Sequence, residues 1–163
     1  HFHNYTKDLG ITDILDYGCG KGYLKKFLDG VLPSNYYVKY ARKFPGIELP
    51  LPKTYVVSEY DPAIPDNVGQ PDQTQFVVCA DVMEHVEIEY VDNVLEWVHQ
   101  LMRVGGYFSI GLAPAADTLA DGRNAHITLK PAEWWMEKIK QRSWRIARSV
   151  VSQKRLEVWI RHE

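Results

Sequence analysis

Residues 11–22 read ITDILDYGCGKG, and this stretch decides the fold. The short apolar run Ile11–Tyr17 predicts a buried strand, and it stops at the glycine-rich turn Gly18–Gly22. The segment Tyr23–Leu28 then has the pattern of a short helix. Glycines between a strand and a helix let the backbone turn sharply and approach a ligand closely. The stretch therefore predicts a ligand-binding turn at the carboxyl end of a strand in an α/β sheet.

Further along the chain, predicted strands alternate with predicted helices. This alternation predicts a Rossmann-like, doubly wound and mostly parallel sheet in three α/β/α layers, closed by a C-terminal antiparallel strand pair. We expect a single domain over 1–163, with a proline-rich, loop-like insertion at 31–53 and a candidate substrate loop at 113–130. The predicted elements are strands at Thr54–Tyr60, Phe76–Ala80 and Tyr107–Leu112, helices at Ile88–Met102 (ended by Gly105-Gly106) and Pro131–Gln141, and the closing pair Trp144–Val151 and Arg155–Arg161.

Composition and charge restrict the class of protein. With 163 residues, 45% hydrophobic and 25% charged, the chain has the composition of one soluble globular domain. No apolar run reaches the ~20 residues that cross a bilayer, so we expect no membrane contact. Two cysteines provide no disulfide framework, which favours a reducing, cytoplasmic location. Residues 123–163 carry ten basic and four acidic side chains, which leaves nucleic acid open as a partner, although no RNA-binding motif supports it.

Two acidic residues stand at the ends of the first two predicted strands. Asp16 precedes the glycine turn, where a carboxylate can pair with a cationic amino group of a ligand. Asp61 ends the second strand, where an acid can accept both hydroxyls of a ribose. The alternative role for Asp61 is that of a turn former before Pro62. The glycine spacing is G-x-G-x-G rather than the G-x-G-x-x-G of dinucleotide-binding proteins.

In these features the sequence resembles the class I S-adenosylmethionine-dependent methyltransferases. The resemblance lies in four segments, in the family's order: ILDYGCGKG (14–22), VVSEYDPAI (56–64), VVCADVMEHV (77–86) and LMRVGGYFSIGL (101–112). DGRNAH (121–126) and PAEWW (131–135) are similar to a compact bacterial and phage-type subgroup. The resemblance implies S-adenosyl-L-methionine as cofactor and a transferase activity.

The resemblance also implies roles for individual residues. Asp16 would lie near the amino-acid end of the cofactor and Asp61 would hold its ribose. The gap from Asp61 to the next strand is shorter than is usual in the family, so the resemblance assigns no residue to the adenine, and Asp72 and Gln73 are two candidates for it. The other residues implied to bind the cofactor are Gly18, Cys19, Gly20 and Gly22 in the turn and Cys79, Ala80 and Asp81 at the next strand tip.

Asp81, Glu84 and His85 are spaced to cluster at a strand tip and the first helical turn after it, and oxygen and nitrogen ligands suit a divalent cation. Small-RNA 3′-terminal 2′-O-methyltransferases and ubiquinone-pathway O-methyltransferases carry a similar metal site. In the RNA enzymes a downstream histidine completes it, and His126 would take that part here. Mg²⁺ or Zn²⁺ would orient a substrate hydroxyl and lower its pKa. Many relatives with an E-H-V segment bind no metal. On that alternative, His85 packs against its neighbours, Glu84 forms a local hydrogen bond, and His126 is a general base or a structural residue.

The leading hypothesis is methyl transfer to a small molecule, or to an exposed glycan or lipid hydroxyl on a larger acceptor. A hydroxyl acceptor needs a base, for which His126 and His85 are the candidates, whereas an amine acceptor needs only a carboxylate such as Asp81 to orient it. No N-P-P-[YF] tetrapeptide follows the strand that ends at Ala80, which argues against methylation of a base amine. The alternatives are a catalytically inactive cofactor-binding or partner subunit, a metal-assisted RNA 2′-O-methyltransferase and an NAD-linked oxidoreductase.

Overall fold

The computed structural model describes residues 2–30 and 55–162, so the predicted insertion at 31–53 lies outside the described residues. Short 3₁₀ turns at Pro65–Asn67, Met83–His85 and Ile88–Tyr90 connect some of the helices and strands. In chain order these are α1 (Phe2–Asp8), β1 (Asp13–Tyr17), α2 (Tyr23–Leu28), β2 (Val56–Tyr60), β3 (Thr74–Ala80), α3 (Val91–Leu101), β4 (Met102–Gly111), α4 (Ala132–Lys140), β5 (Arg145–Val151) and β6 (Arg155–Arg161).

The six strands form one sheet in the order β2-β1-β3-β4-β6-β5. The pairs β1–β2, β1–β3 and β3–β4 are parallel, whereas β6 is antiparallel to β4 and to β5. Tyr17, the last residue of β1, pairs with Tyr60 on one side and Cys79 on the other. The carboxyl ends of β1, β2 and β3 are therefore level, and the turns that follow them meet at one edge of the sheet. This confirms the predicted mostly parallel sheet with its C-terminal antiparallel pair.

Helices cover both faces of the sheet and give it three layers. On one face, α3 and α4 pack residues such as Leu95 and Trp135 against Leu15 of β1; we call this the first core. On the other face, α2 packs Leu24 and its neighbours against Ile14; we call this the second core. Because side chains of a strand alternate between its two faces, adjacent residues of β1 belong to different cores. The helix α1, which the sequence did not predict, adds Tyr5 to the second core.

The predicted helix end at Gly105-Gly106 is wrong, because both glycines lie inside β4. A Cβ atom on Gly105 would stand 2.6 Å from the backbone oxygen of Ile160, and one on Gly106 would stand 3.0 Å from that of Val77. The glycines thus allow β4 to fit closely between β3 and β6 rather than ending α3, which stops at Leu101 and leads directly into β4. Of the helices that the structure describes, none is both long and apolar enough to span a membrane.

Candidate functional site

The glycine turn after β1 has a backbone that other residues would strain. Gly18 has φ 75° and Gly22 has φ 65°, in the left-handed region that favours glycine. A Cβ atom on Gly18 would stand 2.3 Å from Cγ2 of Val82, and one on Gly22 would stand 2.2 Å from Oε1 of Glu59. The turn therefore lets neighbouring segments approach its backbone more closely than a side chain would allow.

Asp61 holds the glycine turn against the end of β2. Its Oδ2 accepts a hydrogen bond from the backbone N–H of Gly20 and its Oδ1 accepts one from that of Ala63, both at 2.9 Å. The backbone N–H groups of Gly18 and Cys19 both donate to the carbonyl oxygen of Tyr60, which strengthens the same junction. Each carboxylate oxygen has a second lone pair, so Asp61 can accept further hydroxyl groups while it holds the turn.

A cleft of about 360 Å³, the first cleft, opens beside this turn at the carboxyl edge of the sheet. Of the residues predicted to bind the cofactor, Gly18, Asp61 and Asp81 line it. The first cleft is lined by Tyr17, Gly18, Asp61, Pro62, Ala63, Asp81, Val82, His85, Val86 and Val94.

The remaining predicted cofactor residues lie behind or beside the first cleft. Asp16 is buried at the end of β1, with 6% of its surface exposed, and Ala80 is half-buried at the end of β3. Cys79 is completely buried in the first core. Cys19 is buried in the turn, where its Sγ accepts a hydrogen bond from Nδ2 of Asn67 at 3.2 Å, and burial raises the pKa of its thiol to about 11.

The prediction that Asp72 and Gln73 contact an adenine is wrong. Both residues immediately precede β3, so they lie at the amino edge of the sheet, opposite the first cleft. Gln73 donates from Nε2 to the carbonyl oxygen of Gln100, near the end of α3, at 2.6 Å. Because β2 and β3 run in the same direction, the connection between them crosses from the carboxyl edge to the amino edge, and its last residues lie away from the first cleft.

Asp81 follows β3 and has a strained backbone, with φ 58°. Its backbone N–H donates to the carbonyl oxygen of Ser109 at 2.8 Å. Its Oδ1 accepts hydrogen bonds from Nη1 of Arg155 at 2.7 Å and from Oγ of Ser109 at 3.2 Å, and Arg155 also donates to Oγ of Ser109. Arg155 and Ser109 were not predicted. The strand order could have indicated Arg155, because β6 runs antiparallel to β4 and so begins at the carboxyl edge.

A second cleft, of about 440 Å³, lies on the other side of Asp81 and His85, which line both clefts. The predicted substrate loop provides much of its wall. Within that loop, the amide of Asn124 exchanges two hydrogen bonds of 2.9 Å with the backbone of Ala115. The second cleft is lined by Asp81, Glu84, His85, Gly111, Ala113, Pro114, Ala115, Ala116, Asp117, Ala125, His126, Lys154 and Arg155.

Glu84, His85 and His126 come together at the wall of the second cleft, with one potential ligand atom of each residue within 4.8 Å of those of the others. Oε1 of Glu84 accepts the backbone N–H of Gly111 at 2.7 Å and lies 4.0 Å from Nε2 of His126. The carboxyl group is buried, and this burial raises its pKa. Of the four residues predicted as metal ligands, Asp81 is the one outside this group, and its carboxylate binds Arg155.

Backbone carbonyl groups orient both imidazoles of this group. Nδ1 of His85 lies 2.8 Å from the carbonyl oxygen of Ala125, and Nδ1 of His126 lies 2.6 Å from that of Ala113. A carbonyl oxygen only accepts hydrogen bonds, so each Nδ1 carries a proton, and in the neutral imidazole the lone pair is then on Nε2. The site thus presents two basic nitrogens and one buried carboxylate to the second cleft.

The chain matches a known family model over nearly its whole length. A family model described as a methyltransferase domain matches residues 6–162. No curated protein sequence matches the chain significantly.

Solved structures with the same fold share little sequence with this chain. A 1,6-didemethyltoxoflavin-N1-methyltransferase from Burkholderia thailandensis, solved with S-adenosylhomocysteine, matches with a TM-score of 0.56 at 17% identity, over 96% of this chain and 74% of that one. Magnesium protoporphyrin IX methyltransferase from Synechocystis, also solved with S-adenosylhomocysteine, gives a TM-score of 0.57 at 15% identity, over 98% and 80%.

An O-methyltransferase family protein from Burkholderia thailandensis gives a TM-score of 0.56 at 15% identity, over 94% of this chain but 51% of its own length. These similarities concern the fold, whereas the family match extends over nearly the whole sequence. The chain therefore belongs to the methyltransferase domain family and is a class I S-adenosylmethionine-dependent methyltransferase.

Proposed function

We propose that this protein transfers a methyl group from S-adenosylmethionine to a hydroxyl group of a small molecule. The observation that carries the proposal is the pair of clefts, which share Asp81 and His85 as wall residues. A donor in the first cleft and an acceptor in the second would meet at this shared wall. Holding two reactants next to each other in this way accounts for much of the catalysis of a bimolecular reaction.

The residues of the first cleft suit the methyl donor. The backbone at Gly18 leaves no room for a side chain, and Asp61 retains lone pairs for the two hydroxyls of a ribose. Apolar groups such as Val82 and Val86 offer a surface for an adenine ring. At the end of β1, Asp16 provides a carboxylate for the amino-acid end of the ligand.

The second cleft suits an acceptor that must lose a proton. S-adenosylmethionine supplies a methyl group on a positively charged sulfur, so the acceptor atom needs only a lone pair in line with the sulfur–carbon bond. A neutral hydroxyl is a weak nucleophile until its proton is removed. The free Nε2 atoms of His85 and His126 and the carboxylate of Glu84 are the groups that favour this removal, whereas an amine acceptor would not require them.

The size of the second cleft and the structural neighbours both support a small acceptor. A volume of about 440 Å³ is within the range of small-molecule sites. Two neighbours are named for small acceptors, 1,6-didemethyltoxoflavin and magnesium protoporphyrin IX. Arg155 neutralises Asp81 at the cleft wall, so the negative charge there does not repel an acceptor oxygen.

Calorimetric titration of the purified protein tests the donor site. We expect saturable binding of S-adenosylmethionine and S-adenosylhomocysteine and no response to NAD. Asp61→Asn loses one charged acceptor and should bind S-adenosylhomocysteine roughly 10-fold more weakly. Asp66→Asn removes the same charge from an exposed position on the next turn and should bind like the wild type. Absence of binding by the wild type would overturn the proposal.

Turnover tests the acceptor class. We expect release of S-adenosylhomocysteine when a panel of small phenols, catechols and aliphatic alcohols is supplied with S-adenosylmethionine, and little release with matched amines. Exclusive turnover of amines would show that the hydroxyl assignment is wrong. Binding of the donor without turnover of either panel would instead support a cofactor-binding subunit.

A further inference from the structure

We propose that Glu84, His85 and His126 hold one Zn²⁺-type divalent metal ion at the wall of the second cleft. The metal site itself follows from the geometry of these three side chains. Its role in the reaction, binding the acceptor hydroxyl, rests on the proposed function.

The first argument is the convergence of three hydrogen-bond acceptors. One carboxylate oxygen and two imidazole nitrogens lie within 4.8 Å of one another. The separation of 4.0 Å between Oε1 of Glu84 and Nε2 of His126 exceeds hydrogen-bond length, so a proton shared between them does not satisfy the pair as they stand. Three electron-rich atoms facing one space repel one another unless a cation lies between them. Metal bonds of roughly 2.1 Å place tetrahedral ligands about 3.4 Å apart, so shifts of about 1 Å would close the site.

The second argument is the buried carboxylate of Glu84. Only 1% of this residue is exposed, and its Oε2 has no hydrogen-bond partner among the residues that the structure describes. A buried carboxylate without a positive partner is costly, and metal ligation is one of the arrangements that stabilise it. Arg155, the arginine that lines the second cleft, is already bound to Asp81 and Ser109.

The third argument is the orientation of the two imidazoles. Both Nδ1–H groups donate to backbone carbonyl oxygens, those of Ala125 and Ala113, which fixes the tautomer that leaves Nε2 free. Metal-binding histidines are oriented by hydrogen bonds of this kind. The two rings meet edge to face, with centroids 4.9 Å apart and planes at 83°. The two rings thus meet at the wall of the second cleft with nearly perpendicular planes, and one nitrogen of each lies within 4.8 Å of the Glu84 carboxylate.

The donor set selects the kind of metal. Two imidazoles and one carboxylate are a ligand set of catalytic zinc sites, in which the fourth position remains open. Mg²⁺ and Ca²⁺ prefer oxygen ligands alone. His85 is exposed at the second cleft, so an open position there is accessible to an acceptor.

In this site the metal would lower the pKa of a bound hydroxyl. The O–H bond breaks and its proton passes to water. An O–CH₃ bond then forms as the S–CH₃ bond breaks, and the electron pair stays on sulfur as a neutral thioether. With the ion bound, His85 and His126 favour loss of the proton through the metal that they hold, rather than by accepting it themselves.

Titration of chelator-treated protein with Zn²⁺, and separately with Co²⁺, tests the site. We expect one equivalent to bind, and Co²⁺ to give the intense visible absorption of a four-coordinate site. His85→Ala and His126→Ala should each weaken binding by about 10-fold or more. His162→Ala removes an imidazole near the amino end of β4, at the opposite edge of the sheet, and should bind like the wild type.

Two results would overturn the metal site: no saturable binding by the wild type, or equal affinity in both cleft variants and the wild type. Because His85 is exposed, its variant should keep the wild-type circular dichroism and thermal transition, which separates loss of a ligand from loss of the fold. Titration with S-adenosylhomocysteine distinguishes the two proposals. Its binding to protein that binds no metal would reject the metal site alone, and metal binding without it would reject the proposed donor site alone.

Discussion

At the scale of single residues, Val82 lies so close to the backbone of Gly18 that no side chain fits at this position of the first cleft. Gly18→Ala adds a Cβ atom 2.3 Å from Cγ2 of Val82 and places alanine at φ 75°. The backbone conformation alone costs about 1–2 kcal/mol, and displacement of Val82 adds to it. We expect Gly18→Ala to lower the free energy of unfolding by more than 2 kcal/mol, as measured by urea denaturation.

Two comparisons separate the steric part of this loss from the backbone part. Gly20→Ala has a similar φ of 53° but no atom within 4 Å of its Cβ, so it should cost only about 1–2 kcal/mol. Adding Val82→Ala to Gly18→Ala should restore about 1 kcal/mol as a coupling energy in a double-mutant cycle. Equal losses at Gly18 and Gly20, with no coupling to Val82, would contradict the explanation.

The residues of the site differ in how well the sequence predicts them. Gly18 and Asp61 stand at strand ends within motifs, so local sequence places them at the first cleft. Arg155 and Ser109 are 74 and 28 residues away from Asp81 in the chain, and only the strand order brings them together. Local sequence does not place them, because an arginine at a strand start carries no local signal of what it binds.

At the scale of elements, Asp92 connects α3 to α4. Its carboxylate accepts hydrogen bonds from Nζ of Lys138 at 2.6 Å and from Nη2 of Arg142 at 2.8 Å. Half of the Asp92 side chain is exposed, which limits the contribution to about 0.5–1 kcal/mol. We expect Asp92→Asn to lower the free energy of unfolding by this amount at pH 7, measured by thermal and urea denaturation.

The effect of Asp92→Asn should depend on pH. The hydrogen bonds from Lys138 and Arg142 lower the pKa of Asp92 in the folded protein. A carboxyl group with a lowered folded pKa stabilises the fold above its unfolded pKa and loses this contribution as the pH falls through the folded value. The difference between variant and wild type should therefore shrink below about pH 4. Glu89→Gln, at an exposed position just before α3, should show no such difference, and a constant Asp92→Asn effect down to pH 2 would refute the assignment.

The boundaries of elements show where sequence patterns stop being informative. The apolar stripe of α3 predicts a helix correctly, because helical periodicity reports the face that is buried. Gly105-Gly106 has the sequence pattern of a helix end, but both glycines lie in β4. There the backbones of β3 and β6 on either side leave little room for a side chain. That constraint exists only in the folded sheet, and no local pattern contains it.

At the scale of the whole molecule, one sheet separates two apolar cores and also forms the functional edge. Leu95 lies in the first core and Leu24 in the second, and both are buried. Each replacement by alanine should lower the free energy of unfolding by about 2–5 kcal/mol. Because β1 and β3 contribute side chains to both cores, we expect either variant to unfold in a single transition.

Two probes test this cooperativity, because tryptophans lie in both cores. Trp135 belongs to the first core and Trp159 to the second, while far-ultraviolet circular dichroism reports the helices and strands together. The midpoints from fluorescence and from circular dichroism should coincide in the wild type and in both variants. Separate midpoints in Leu24→Ala or Leu95→Ala would show that the cores unfold independently.

The same two variants test whether the first cleft depends on both cores. Gly18 follows β1, a strand that contributes Leu15 to the first core and Ile14 to the second, and Val82 and Val86 pack against the first core. A ligand held at the end of β1 therefore depends on a strand that both cores keep in place. S-adenosylhomocysteine at 100 times its dissociation constant should therefore add about 2.7 kcal/mol to the free energy of unfolding of Leu24→Ala and of Leu95→Ala alike. Stabilisation of one variant and not the other would place the binding energy on a single face of the sheet.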